Sequence, residues 1–102
     1  MLALVEQNLD AIRALCREYG VLRLELFGSA ATGAFDPERS DLDFLVEFEP
    51  APPGGYADAF FGLKESLEQL FGRPVDLVAA AAIRNPYFRE SVEGAKVPLY
   101  AA

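Results

Sequence analysis

Two short stretches in which apolar and polar side chains alternate constrain this fold more than any other feature of the sequence. Residues 21–27 alternate leucines with Arg23 and Glu25. Residues 42–48 alternate Leu, Phe, Val and Phe with a second set of side chains that includes Asp43. A period of two is typical of a β-strand with one buried face. The sequence therefore predicts two strands joined by the loop between them.

Apolar residues spaced three or four positions apart predict two amphipathic helices. The first covers residues 2–19 and is closed by Gly20, and the second covers residues 56–71 and is closed by Gly72. A short third strand is predicted over residues 74–78.

The remaining segment contains a helix start at Asn85 and Pro86, followed by a last extended segment over residues 97–100. The predicted order is helix, strand, loop, strand, helix, strand, helix. We therefore expect a single α/β (α+β) domain spanning residues 1–102.

Composition excludes several classes of protein. The chain has 102 residues, of which 52% are apolar, so it can bury one modest core. It lacks the roughly 20-residue apolar run of a membrane span and the basic start of a signal peptide. The lone Cys16 fits a reducing cytoplasm. Without histidine, zinc sites and Ser-His-Asp triads are excluded, so any metal should be a hard cation bound by carboxylates.

The formal net charge of −7 argues against a polynucleotide as the main substrate. Proteins that bind nucleic acid carry clustered basic residues, and an acidic surface repels phosphate backbones. A single nucleotide accompanied by Mg²⁺ remains compatible, because the ion screens the phosphate charge.

Three aspartates are the strongest candidates for a metal site. Asp41 and Asp43 share one face of the second strand, with Cα atoms roughly 7 Å apart. Asp43 and Asp76 each interrupt an apolar stretch, although strands disfavour aspartate and an unpaired buried carboxylate is costly. Each has an ordinary alternative, a turn residue for Asp41 and an exposed strand position for the other two. Together they favour a shared Mg²⁺ site.

Gly28 and Ser29 follow the first strand, where free backbone N–H groups and a hydroxyl would bind phosphate oxygens. The alternative is an ordinary serine cap after a glycine turn. Core packing is the favoured interpretation for a group of aromatic residues at these spacings, with a base pocket or partner surface as the alternative: Tyr56, Phe60, Phe61, Tyr87 and Phe88.

These motifs match one known pattern. The segments Phe27-Gly28-Ser29, Ser40-Asp41-Leu42-Asp43 and Val75-Asp76-Leu77-Val78 resemble the DNA polymerase β-like nucleotidyltransferase superfamily. The short chain looks like its minimal nucleotidyltransferase (MNT) branch, and the tail from Ile83 onward is similar to that branch as well. The resemblance implies the nucleotidyltransferase fold, a small mixed β-sheet packed with helices.

The resemblance also implies roles for the matching residues. Asp41 and Asp43 would bind two Mg²⁺ ions, and Asp76 would complete the metal site and help to deprotonate the attacking hydroxyl.

The resemblance also implies nucleotide contacts on both sides of the loop that joins the first two predicted strands. Gly28 and Ser29 would bind the triphosphate of ATP, with Ser40 beside them. Many relatives have an arginine soon after the Gly-Ser pair, where this chain has alanines. Arg39 is the candidate to supply that charge, and a solvated loop arginine is the alternative interpretation.

MNT proteins typically pair with a helical HEPN-domain toxin and act as its antitoxin, some by transferring AMP from ATP to a tyrosine of the toxin. The resemblance thus implies a cytoplasmic protein adenylyltransferase that forms a hetero-oligomer with a HEPN toxin. Two alternatives stay open: an antitoxin that blocks the toxin sterically, and a transferase that modifies a small molecule such as an aminoglycoside.

Overall fold

The computed structural model describes residues 3–28, 31, 36, 41–80 and 96–102. In chain order the elements in these residues are α1 (Ala3–Glu6), α2 (Leu9–Glu18), β1 (Val21–Phe27), β2 (Leu42–Phe48), α3 (Tyr56–Phe71), β3 (Val75–Ala79) and β4 (Val97–Ala101).

The four strands form one mixed sheet in the order β3-β2-β1-β4. Strand β1 is antiparallel to both of its neighbours, whereas β2 and β3 are parallel. Parallel neighbours need a crossover connection, and α3 provides it between β2 and β3. The predicted α+β class, a small mixed sheet packed with helices, is confirmed.

The main core lies between the sheet and the helices. Helix α2 contacts β1 and β4, and α3 contacts β3 and α2. The fully buried side chains here include Leu24 and Leu26 of β1, Phe44 of β2, Ile12 of α2 and Leu63 of α3. Burying a side chain of this size stabilises a fold by about 1.5–3 kcal/mol. The alternation along β1 and β2 therefore fixes which face of the sheet the helices cover.

The first helix differs from the prediction of one continuous helix over residues 2–19. It is divided into α1 and α2, with Gln7 and Asn8 between them. The Asn8 side chain donates a hydrogen bond from Nδ2 to the Leu4 carbonyl oxygen at 2.8 Å. Asparagine side chains compete in this way with the regular helical hydrogen bonds, which explains the break.

The other boundaries agree closely with the sequence pattern. Helix α3 ends at Gly72, whose positive φ of 64° forms a left-handed C-cap. The last extended segment is observed as β4. The predicted helix start at Asn85 and Pro86 lies outside the described residues. In the parts of the chain that the structure describes, no helix is long and apolar enough to span a bilayer.

Candidate functional site

The sheet register brings two of the predicted aspartates side by side. Asp43 of β2 and Asp76 of β3 are paired Cα positions in the parallel ladder. Neighbouring strands lie about 4.8 Å apart, and paired residues point to the same face. Asp41 lies two residues before Asp43, immediately ahead of β2. All three carboxylates therefore belong to the same end of two adjacent strands, on the face opposite to Phe44 and the main core.

Asp43 carries the clearest electrostatic signature of this group. Its pKa is raised from 3.8 to about 6, first by burial and then by the negative charges of Asp76 and Asp41. Its carboxylate has no hydrogen bond or salt bridge to any other residue that the structure describes. Crowded carboxylates that lack a compensating positive charge favour a bound cation.

Gly28 closes the site from the side of β1. Phe27, the last residue of β1, is the paired Cα position of Asp43. Gly28 follows with a φ of +69°, and a Cβ atom at this position would overlap the Asp43 Oδ2 atom. The backbone conformation and the close approach of the carboxylate thus both require glycine. The turn that the sequence predicts for phosphate binding lies directly against the central aspartate.

A small apolar cluster lies beside the carboxylates, separate from the main core. Phe27 and Leu45 are 7% and 5% exposed, and Val78 and Ala80 pack against them. Sequence reasoning missed this cluster. Its signal is that Phe27 and Leu45 occupy strand positions where the alternation would place polar residues. Such a cluster lowers the local dielectric and strengthens electrostatic interactions with the adjacent aspartates.

Glu68 of α3 holds the start of β3 in place. Its Oε2 atom accepts a hydrogen bond from the Val75 backbone N–H at 3.1 Å and one from Lys64 Nζ at 3.2 Å. The pKa of Glu68 is lowered, first by the hydrogen bond from Val75 and then by that from Lys64. Because Val75 precedes Asp76, this contact helps to set the position of that aspartate. The sequence offers only the spacing of Lys64 and Glu68 as a hint.

The described side chains fit Mg²⁺ as partial ligands and not as a complete cage. Among the described residues, no three acidic, histidine or cysteine side chains converge closely enough to hold an ion alone. Mg²⁺ usually keeps several waters and takes one or two carboxylates together with substrate phosphates. The paired Asp43 and Asp76 meet that requirement. The predicted nucleotide ligands Ser29, Arg39 and Ser40 lie outside the described residues.

Comparison with known proteins agrees with this geometry. The model of the family described as the nucleotidyltransferase domain matches residues 10–99. A protein of Methanocaldococcus jannaschii named as a candidate protein adenylyltransferase is 42% identical over 81 residues, which is 79% of this chain and 79% of the relative. A solved structure described as a candidate minimal nucleotidyltransferase is 36% identical, covers 97% of each chain and has a TM-score of 0.78.

A more distant solved structure shares the same fold. It contains an MNT antitoxin in complex with a tri-AMPylated HEPN toxin of Shewanella oneidensis, with 20% identity and a TM-score of 0.64 over 95% of this chain and 72% of that chain. The match over residues 10–99, with the two closer relatives, is decisive. The chain belongs to the nucleotidyltransferase domain family and is a nucleotidyltransferase.

Proposed function

We propose that this chain transfers AMP from ATP, in the presence of Mg²⁺, to a tyrosine hydroxyl of a HEPN-type toxin and thereby acts as its antitoxin. The observation that carries the proposal is the convergence at one end of the sheet of the Gly28 turn, Asp43 and Asp76. Phosphate-binding backbone and metal-binding carboxylates are the two parts that nucleotidyl transfer needs together.

In the proposed reaction the acceptor hydroxyl oxygen attacks the α-phosphorus of ATP. A new P–O bond forms, the bond from the α-phosphorus to the oxygen bridging it to the β-phosphorus breaks, and pyrophosphate leaves. The Asp76 carboxylate, exposed at the edge of the site, accepts the hydroxyl proton. The Gly28 turn, together with Ser29, binds the triphosphate through backbone N–H groups and a hydroxyl.

Asp41 and Asp43 would hold Mg²⁺, with Asp76 completing the set. When bound, two such ions supply positive charge to the attacking oxygen and to the leaving phosphate. Arg39 and Ser40, which precede β2 in the sequence, are proposed to add contacts to the nucleotide. The raised pKa of Asp43 supports this assignment, because a cation relieves the repulsion among the carboxylates.

Two findings favour a protein as the acceptor. A relative with 42% identity is named as a candidate protein adenylyltransferase, and a structure of the same fold contains an AMPylated HEPN toxin. The net charge of −7 disfavours a polynucleotide acceptor. A cytoplasmic complex with a HEPN toxin is therefore the assembly that we propose.

The test combines purified protein, Mg²⁺, labelled ATP and the HEPN-type toxin that we propose as its acceptor. We expect label on the HEPN protein and a mass increase of one or more AMP groups on a tyrosine peptide. The Asp43→Asn variant should lose the transfer, whereas Asp10→Asn, a change at an exposed position of α2, should keep it.

Two outcomes would contradict the proposal and identify a rival. If Asp43→Asn neutralises the toxin as well as the wild type does and no AMP is transferred, the chain is a steric antitoxin. If label appears on an aminoglycoside and not on the HEPN protein, the chain is a small-molecule transferase.

A further inference from the structure

The first half of α3 exposes two aromatic side chains to solvent. Phe61 is 65% exposed and Tyr56 is 52% exposed, and they are the large apolar residues that stand out as exposed in the described part of the chain. Sequence reasoning favoured core packing for both. The pattern misled because α3 has apolar residues on more than one face, and only part of them meets the sheet: Ala59, Leu63, Leu67 and Phe71.

The exposed rings belong to a continuous aromatic row. The ring of Tyr56 packs edge-on against Phe48 at 5.4 Å between centroids and lies over Phe60 at 6.3 Å, and Phe60 meets Phe61 edge-on at 5.4 Å. A row held in this way loses little conformational entropy when a partner covers it, as is typical of aromatic anchors in interfaces.

Beside this row is an open apolar groove of about 410 Å³, between α3 and β3. Its lining includes Tyr56, Phe60 and Phe61 of α3 with Leu77, Val78 and Ala79 of β3. We name the row and the groove together the α3–β3 patch.

The α3–β3 patch adjoins the proposed catalytic site. Val78 lies two residues after Asp76 on β3, so both side chains belong to the same face of the sheet. Val78 also packs against the small cluster of Phe27 and Leu45 beside the carboxylates. A protein that covers the groove would therefore stand next to the aspartate that we propose accepts the hydroxyl proton.

Charge around the patch indicates the chemistry of its occupant. Phe61 is flanked on the helix surface by the exposed carboxylates of Asp58, three residues earlier, and Glu65, four residues later. The neighbouring Lys64 is engaged by Glu68 at 3.2 Å. A complementary surface would place apolar side chains on the rings and basic side chains against these carboxylates.

The same charges argue against a second copy of this chain. A two-fold interface brings the same patch of both subunits together. Asp58 and Glu65 would then approach their own counterparts, in a chain that already carries a net charge of −7. Like charges placed opposite each other in an interface are unfavourable.

We propose that the α3–β3 patch is the docking surface for the acceptor protein, which meets it with an apolar surface flanked by lysine or arginine. This inference rests on the proposed function, because it takes the acceptor to be the HEPN-type toxin. Docking here places the acceptor beside the catalytic face without using any metal or nucleotide ligand.

The experiment measures binding of the HEPN protein, without ATP, to the wild-type chain and to two variants. Phe61→Ser should raise the dissociation constant about tenfold or more, as the loss of a central aromatic anchor does. Asp58→Lys should slow association and reduce its dependence on salt. The matched controls are Gln69→Ser, at an exposed position on the same helix, and Asp10→Lys, a charge reversal in the first turn of α2. Both controls should bind like the wild type.

Binding of Mg²⁺ with AMP-PNP and the melting temperature are measured on every variant, and both should be unchanged by Phe61→Ser. Wild-type affinity of Phe61→Ser for the HEPN protein would overturn the docking proposal. So would loss of AMP-PNP binding, or self-association of the wild type that Phe61→Ser abolishes.

The two proposals fail in different ways. A Phe61-dependent complex without AMP transfer would contradict the proposed function alone. AMP transfer that is insensitive to Phe61→Ser would contradict the docking surface alone. A wild-type chain that neither binds nor modifies the HEPN protein would contradict both.

Discussion

The two faces of the sheet are formed by the same strands but differ in composition and in what they contribute to the protein. Among the residues that the structure describes, the buried side chains of the face covered by α2 and α3 are all apolar, with Leu24, Leu26 and Phe44 fully enclosed. The opposite face has a much smaller apolar cluster around Phe27 and Leu45, and its strand ends carry carboxylates. We expect the helix-covered face to supply most of the stability. The opposite face carries carboxylates whose mutual repulsion destabilises the fold.

Phe44 and Leu45 are adjacent in β2 and point to opposite faces. Substituting each of them therefore compares how much the two faces contribute to stability. Phe44→Ala should lower the free energy of unfolding by about 3–5 kcal/mol, since it empties the centre of the main core. Leu45→Ala should cost about 2 kcal/mol, at the lower end for its type, because its cluster is small. Urea unfolding measures both. Equal losses would show that the two faces contribute equally to stability.

Asp43→Asn should separate activity from stability. Removing its charge should reduce AMP transfer by about 10²–10³-fold, the usual cost of deleting one electrostatic contact to a transition state. The free energy of unfolding should stay the same or rise, because the repulsion from Asp76 and Asp41 is relieved. Labelled ATP and urea unfolding give the two values. A destabilised variant with normal transfer would mean that Asp43 is a structural residue.

Gly28→Ala tests whether the turn is shaped by the neighbouring carboxylate. Gly72 is a matched control, because its φ of +64° is close to the +69° of Gly28 and nothing lies within 4 Å of its added Cβ. The left-handed backbone alone should cost each variant roughly 1–2 kcal/mol.

Only Gly28→Ala should lose further stability, because its methyl group overlaps the Asp43 carboxylate, and only this variant should lose nucleotide binding. Urea unfolding and titration with AMP-PNP distinguish the two. If both variants lose the same stability and both bind AMP-PNP normally, Gly28 does not shape the site.

Glu68 gives the smallest effect, and it depends on pH. Its pKa in the folded protein is lowered from the ordinary value of 4.5, so the ionised form favours the fold. The stabilisation is complete above pH 4.5 and is lost as the pH falls through the lower pKa of the folded state. Glu68→Gln should therefore be less stable near pH 7 and less sensitive to acid. The measurement is the free energy of unfolding of the wild type and of Glu68→Gln as a function of pH. If the two values change with pH by the same amount, this role of Glu68 is contradicted.

Much of this organisation is predictable from local patterns. The period-two alternation predicts which residues of β2 and of the second half of β1 the helices cover, and the Gly72 stop ends α3 where it is observed. At the start of β1 the prediction for Leu22 is wrong, because a bulge between Val21 and Arg23 places Val21 in the core instead.

The pairing of Asp43 with Asp76 is different, because it depends on the register of two strands separated by a helix. The spacing of residues along the chain does not determine which residues of these two strands are paired. The resemblance to the nucleotidyltransferase pattern supplied the missing long-range information.

What could not be predicted was set by tertiary contacts. The apolar residues of α3 predict a buried helix, yet Phe61 and Tyr56 are exposed because the sheet and α2 cover only one side of the helix. The break at Asn8 depends on a single side-chain hydrogen bond to Leu4. The anchoring of Val75 by Glu68 joins residues on different elements, and helix periodicity does not encode it.

The central claim is that the face of the sheet opposite the helices binds a divalent cation between Asp43 and Asp76. The most direct measurement uses Mn²⁺ in place of Mg²⁺, with AMP-PNP, and records paramagnetic broadening of backbone amide signals at low occupancy. The account predicts the strongest broadening at Phe27, Gly28, Asp43 and Asp76, with Asp43→Asn abolishing it. Broadening centred instead on Glu49 or Asp58, and unchanged by Asp43→Asn, would contradict the account.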